Sequence, residues 1–134
     1  MTASKEYSGK TALITGAARG IGFGIAKRLG EEGAHIIIVD INAEQGLNVV
    51  QSFRQEGILA DFVDADLSVP GDASDMVNVA TKCTSRIDVL VNNAVAGRRV
   101  SLLDETEENW DLALNVNLTA AFFASQATIR LMAD

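Results

Sequence analysis

The sequence predicts an α/β fold: a parallel sheet with helices packed on both of its faces. Three observations lead to that class. Short apolar runs alternate with segments of helical period, the first run leads into a glycine-bearing turn, and acids or asparagines stand where the runs end.

Taken in order, residues 1–9 are a polar lead-in. Residues 10–40 then read as strand, turn, helix and strand, the size of one βαβ unit. Ala12, Leu13 and Ile14 are the first run, Thr15 and Gly16 the turn, Ile21, Ile25 and Leu29 the helical period, and Gly33 the stop. The second run, 36–39, ends on Asp40. Asn42 or Ala43 opens a second helix to about residue 56, with Leu47, Val50, Phe53 and Arg54 expected on its inner stripe; Gly57 stops it. Residues 58–65 alternate as a third strand and run into Asp64-Ala65-Asp66-Leu67-Ser68. Pro70 belongs just before a third helix, 72 to about 85, with Met76, Val77, Val79 and Ala80 inward. Residues 87–91 read as a fourth, fully buried strand ending in Asn92-Asn93-Ala94. A loop through Arg98 and Arg99 leads to a long helix, about 107–132, with Trp110, Leu114, Leu118, Phe122 and Ile129 on one broad apolar side.

Right-handed crossovers put these strands in the order 3-2-1-4. The winding then reverses between strands 1 and 4, and a ligand cleft is expected there, at the carboxyl ends. Gly16, Asp40, Asp66 and Asn93 all fall at such ends.

Bulk properties narrow the function. The 134 residues are 48% hydrophobic and 22% charged, which suits one globular domain over the whole chain. A formal charge of −7 argues against nucleic-acid or anionic-membrane partners. No run reads as a membrane span or a secretion signal. The single cysteine, Cys83, cannot form an internal disulfide, so a cytoplasmic location is expected. Cys83 and His35 have no local partners that would make them reactive, and both read as structural.

The three glycines stand where a βαβ unit meets an anion. Gly16 allows a sharp exit from the strand. Gly20 and Gly22 are expected to clear side chains where a pyrophosphate lies against the first helical turn, facing unpaired N–H groups and the positive end of the helix dipole. Asp40 is placed to accept from both hydroxyls of an adenosine ribose. The expected ligand is a dinucleotide on a Rossmann-type fold.

Thr15-Gly16-Ala17-Ala18-Arg19-Gly20-Ile21-Gly22 has the TGxxxGxG spacing of the short-chain dehydrogenases/reductases, and the chain resembles the cofactor-binding half of that family. The resemblance implies that Gly16, Arg19, Gly20, Ile21 and Gly22 surround the cofactor phosphates. It implies that Asp66 meets the adenine amino group and Leu67 the ring; Ile41, beside Asp40, joins the same side. An alternative for Asp66 is a helix-capping acid. Asn92-Asn93-Ala94 resembles the family's NNAG, which places Asn93 at the nicotinamide ribose. The fourth position here is Val95, whose branched side chain adds bulk and restricts φ, so weaker binding is expected. Trp110 precedes Asn117 by seven residues and Leu118 follows it. That context implies Asn117 as the helical asparagine of the catalytic set, with Asn115 as the alternative. Asp40 favours NAD over NADP, because a carboxylate repels a 2′-phosphate; Arg19 pulls the other way. Arg98 and Arg99 read either as a plain surface pair or as a greeting for an acidic substrate.

The family's catalytic serine and Tyr-x-x-x-Lys have no counterpart in this sequence, whose only tyrosine is Tyr7. The expectation is a fold incomplete at its C-terminal side, truncated before a fifth strand, with strand 4 left as an open edge. As a short-chain dehydrogenase/reductase portion it would act on an alcohol–carbonyl pair only when completed. Completion by a second chain, a homo-oligomer, or a non-enzymatic interaction module using the long helix are the alternatives.

Overall fold

The computed structural model describes residues 5–134; the first four positions of the lead-in lie outside the described residues. The elements run β1 (Thr11–Thr15), α1 (Gly20–Glu31), β2 (His35–Asp40), α2 (Ala43–Gln55), β3 (Ala60–Asp64), α3 (Asp72–Ala80), β4 (Val89–Val91), α4 (Glu107–Leu114) and α5 (Ala120–Ala133). A short 3₁₀ turn, Leu102–Asp104, precedes α4. Helices α4 and α5 are continuous through a π-helical segment, Asn115–Thr119. The strands are all parallel, in the expected order β3-β2-β1-β4.

Alternation along β1 and β2 feeds two cores, one per sheet face. Ala12, Ile14, Ile36 and Ile38 meet Ala26 of α1 and Val50 and Phe53 of α2. Leu13, Ile37 and Val39 meet Met76 and Val77 of α3 and Ala120 and Ala124 of α5. Phe53 and Met76 are essentially fully buried, and each such side chain contributes about 1.5–3 kcal/mol by leaving water.

Several expected boundaries and faces are corrected. Helix α3 stops at Ala80, where three-residue turn bonds, from the Lys82 N–H to the Val79 carbonyl and from the Cys83 N–H to the Ala80 carbonyl, set in. Strand β3 covers only Ala60–Asp64, and β4 only three residues, half-buried where full burial was expected, because the sheet ends there. Leu47 and Val79 are exposed: each lies one position off the arc that meets the sheet. The apolar side read for the long helix is its outer side. Trp110, Leu114, Leu118, Phe122 and Ile129 all face out, whereas Val116, Ala120, Ala124 and Thr128, spaced by four, face in. Small residues at that spacing let α5 lie close on α3. Among the described residues Glu107–Ala133 is long and apolar enough, by length and composition alone, to cross a membrane, which amends the expectation that no run was.

The amino ends of the strands are tied by polar contacts. The Asp88 carboxylate accepts from the Thr11 N–H at 2.8 Å and pairs with Arg86. His35 meets Asp61 at 2.7 Å, and Arg54 reaches both Asp61 and the Ala60 carbonyl. His35, read as having no local partner, thus has one in Asp61, across the β2–β3 pair. Cys83 is exposed; what burial it has raises its thiol pKa, and so does Asp61, so it stays an unactivated thiol.

Candidate functional site

The site grows from the end of β1. Gly16 has φ +65°, a conformation that L side chains rarely adopt, and a Cβ there would lie 2.9 Å from the Ala94 Cα. Gly20 has φ +60° and its added Cβ would meet nothing within 4 Å, so it borders open space. Gly22 is buried, and its Cβ would lie 2.5 Å from both the Asn93 Nδ2 and the Gly16 oxygen. This corrects its expected role: Gly22 makes room for protein, drawing α1 onto the strand ends, while Gly20 keeps the ligand side clear.

The turn is held from both neighbouring strands. From β2, the Asp40 Oδ2 accepts the Ala18 N–H at 3.0 Å and its Oδ1 accepts the Asn42 N–H at 3.0 Å. From the end of β4, the Asn93 amide donates to the Thr15 and Gly16 carbonyls at 3.0 and 3.1 Å. The Thr15 hydroxyl in turn accepts the N–H groups of Asn93 and Ala94. Sequence reasoning put Thr15 in the turn but gave its hydroxyl no role; its position on the last residue of a buried strand was the available signal.

A cleft of about 430 Å³ opens beside this turn. Gly16, Arg19, Gly20, Ile21, Asp40, Ile41, Asp66, Leu67 and Asn93 all line it, so the expected cofactor residues converge, apart from Gly22 beneath the turn. Asp66 does not cap α3, whose N-cap is Gly71. Its Oδ1 accepts from the backbone and hydroxyl of Ser68, and the loop so formed presents it to the cleft. Val95 lines the cleft too, highly exposed and without positive φ, so its branched side chain stands in open space rather than straining the backbone. Leu112 and Val116, which sequence reasoning left out of the site, form a wall.

Asn117 does not line the cleft. Its side-chain amide pairs with the backbone of Ala96, accepting from the N–H at 2.8 Å and donating to the carbonyl at 2.9 Å. It thus fixes a residue that does line it. The alternative, Asn115, makes no side-chain hydrogen bond among the described residues. Asn109 makes a second such pair with Arg98, and its buried position on α4 was not anticipated.

The amino end of α1 shows what the cleft can hold. Asn42 caps α2 and Thr106 caps α4 through side-chain oxygens. At α1 the N-cap is Arg19, with no side-chain cap and no acid in the first turn. The first-turn N–H groups are left for an outside acceptor, and the helix end carries roughly half a positive charge. An anion fits there, and the glycine side is clear to admit it.

A four-stranded doubly wound sheet, with an uncapped helix at the glycine turn and acids at the β2 and β3 ends, defines a Rossmann-type fold. Residues 10–134 match the family model described as short chain dehydrogenase, and the chain belongs to that family. It is 42% identical over 129 residues to the 5-keto-D-gluconate 5-reductase of Escherichia coli K12, covering 96% of this chain and 51% of that protein. A putative short-chain alcohol dehydrogenase from Sinorhizobium meliloti 1021 superposes with a TM-score of 0.91 at 33% identity, covering 98% of this chain and 52% of that one. A gluconate 5-dehydrogenase from Burkholderia cenocepacia J2315, solved with NADP and tartrate, has a TM-score of 0.86 at 36% identity, with 96% and 51% covered. The chain spans about half the length of the relatives it matches.

Proposed function

We propose that this chain binds NAD(H) and forms the cofactor-binding portion of an oxidoreductase acting on an alcohol–carbonyl pair. The observation that carries the reading is the open amino end of α1 beside a clear Gly20, flanked by the Asp40 carboxylate. Bound there, a nicotinamide dinucleotide would supply hydride transfer. The N–H groups of the first α1 turn would hold its diphosphate, and Asp40 would accept from the adenosine ribose. Asp66 and Leu67 would border the adenine; Asn93 and Ala94 lie on the β4 side, where the nicotinamide ribose belongs.

Asp40 supports NAD over NADP, since a 2′-phosphate would approach a carboxylate already fixed at the cleft wall. Arg19 and the NADP of solved relatives weigh on the other side. The catalytic tyrosine and lysine of the family have no counterpart among residues 1–134, where Tyr7 is the only tyrosine and does not line the cleft. We infer that residues outside this sequence supply the acid–base group, and that the lone thiol of the chain suits the cytoplasm. The names of two relatives make gluconate and its keto form the first substrate pair to try.

The deciding experiment is calorimetric titration of the purified chain with NADH and with NADPH. The expected result is NADH binding at least tenfold tighter than NADPH. The Asp40→Ser variant is expected to narrow that ratio. Equal affinity for both would remove the NAD preference, and binding of neither would remove the reading.

A further inference from the structure

The loop after β4 is fastened to α4 and the π-helical segment at three successive residues. Asn117 pairs with the Ala96 backbone. Gly97, at φ +104°, lies over Ala113, where a Cβ would come within 3.1 Å. Asn109 then accepts the Arg98 N–H at 2.7 Å and donates to its carbonyl at 3.0 Å. The three helical positions are four apart, so they form one row along the helix. The backbone from Ala96 to Arg98 is thereby fixed, and with it the place where the Arg98 and Arg99 side chains depart.

Those two side chains are exposed, and among the described residues neither has an ion-pair partner. This is unexpected in a chain of net charge −7 whose own acids lie six residues away. The local structure explains it. Glu105 accepts from Asn109 and from the Thr106 N–H, and Asp104 accepts from the Ser101 hydroxyl. The nearby carboxylates are bound by neutral donors, which leaves two adjacent guanidinium groups unneutralised. Ala96 lines the cleft and Leu112 forms its wall. Arg98 is two residues past the first, and its clasp Asn109 is three residues, about 4.5 Å, before the second. Neither arginine lines the cleft itself. With Asp40 and Asp66 on the β2 and β3 side of the switch point, the loop that carries the arginines leaves the cleft on its β4 side, the end that the cofactor reading makes the reacting one.

We propose that Arg98 and Arg99 receive the carboxylate of a hydroxy- or oxo-acid substrate at the β4 end of the cleft. Guanidinium forks match a carboxylate in two-point geometry, and a pre-fixed backbone lowers the cost of ordering them. The inference rests on the cofactor reading for which end of the cleft reacts.

The test is a titration of the ¹⁵N-labelled chain, with and without saturating NADH, using D-gluconate and its neutral counterpart D-glucitol. The expected result is shifts in the amides of residues 94–99, with gluconate binding at least tenfold tighter than glucitol. In the double variant Arg98→Gln/Arg99→Gln that preference should vanish while NADH affinity stays within twofold of the parent. Equal response to both compounds, no response to gluconate, or an undiminished preference in the variant overturns the proposal. If NADH itself fails to bind, the cofactor reading falls, and the comparison without NADH decides the carboxylate proposal by the same outcomes.

Discussion

Gly22 and Thr128 show how one atom can be judged by what surrounds it. At Gly22 a methyl group would sit 2.5 Å from the Asn93 amide and from the Gly16 carbonyl, both of which hold the glycine turn. Gly22→Ala is therefore expected to cost about 1–3 kcal/mol by overpacking and to weaken NADH binding by moving the turn; urea unfolding and a cofactor titration measure the two effects. Thr128 is the opposite case. Its hydroxyl is buried with no hydrogen-bond partner among the described residues. Thr128→Val keeps the shape and removes an unpaired polar group, so the variant should be more stable by about 1 kcal/mol or more, seen as a higher urea midpoint at unchanged slope. The TGxxxGxG spacing marked Gly22 as special but misjudged what it clears, because spacing reveals that a side chain is excluded and not by what. Nothing local distinguishes Thr128 from a surface threonine.

At the scale of elements, the start of β4 depends on one carboxylate. Burial pushes the Asp88 carboxyl up, but the Arg86 guanidinium, the Thr11 N–H and Lys10 together outweigh it and hold it below the usual aspartate range. A group whose pKa is lower folded than unfolded adds stability above its unfolded value. That stability is lost as pH falls through the folded one. The β1–β4 pairing should thus weaken below about pH 4. Asp88→Asn should lower stability at pH 7 by about 1–3 kcal/mol and flatten the acid limb of a stability–pH curve. An equally steep limb in the variant would assign acid sensitivity to another carboxylate. The expected strand order and the first two helices were readable because strands and helices there carry clean apolar periods. The faces of the long helix were not: its large residues face out and its alanines face in, and apolar size alone pointed the wrong way.

For the whole molecule, two features are uncovered. Among the described residues β4 has no neighbour beyond it, and the continuous helix from α4 to α5 exposes Leu118, Phe122 and Ile129. An open strand edge and an exposed apolar helix face each favour pairing with another chain. The chain is expected to self-associate with rising concentration in sedimentation velocity, and Leu118→Lys to shift the distribution toward monomer. A monomer at all concentrations would mean that these surfaces are tolerated bare. The convergence of Gly16, Asp40, Asp66 and Asn93 on one cleft followed from topology, which a parallel sheet with right-handed crossovers fixes. The clasps at Asn109 and Asn117 needed coordinates, because an amide bonding to a distant backbone leaves no periodic trace.

The double hold on the glycine turn has one more effect. Asn93 stands two residues past the shortest strand, so fraying of that strand loosens the very carbonyls that shape the glycine turn. A bound dinucleotide would then act at a distance along the backbone. Amide protons of residues 89–94 would exchange with solvent more slowly, although the ligand touches few of them, and a nucleotide would become the stabiliser of a sheet margin.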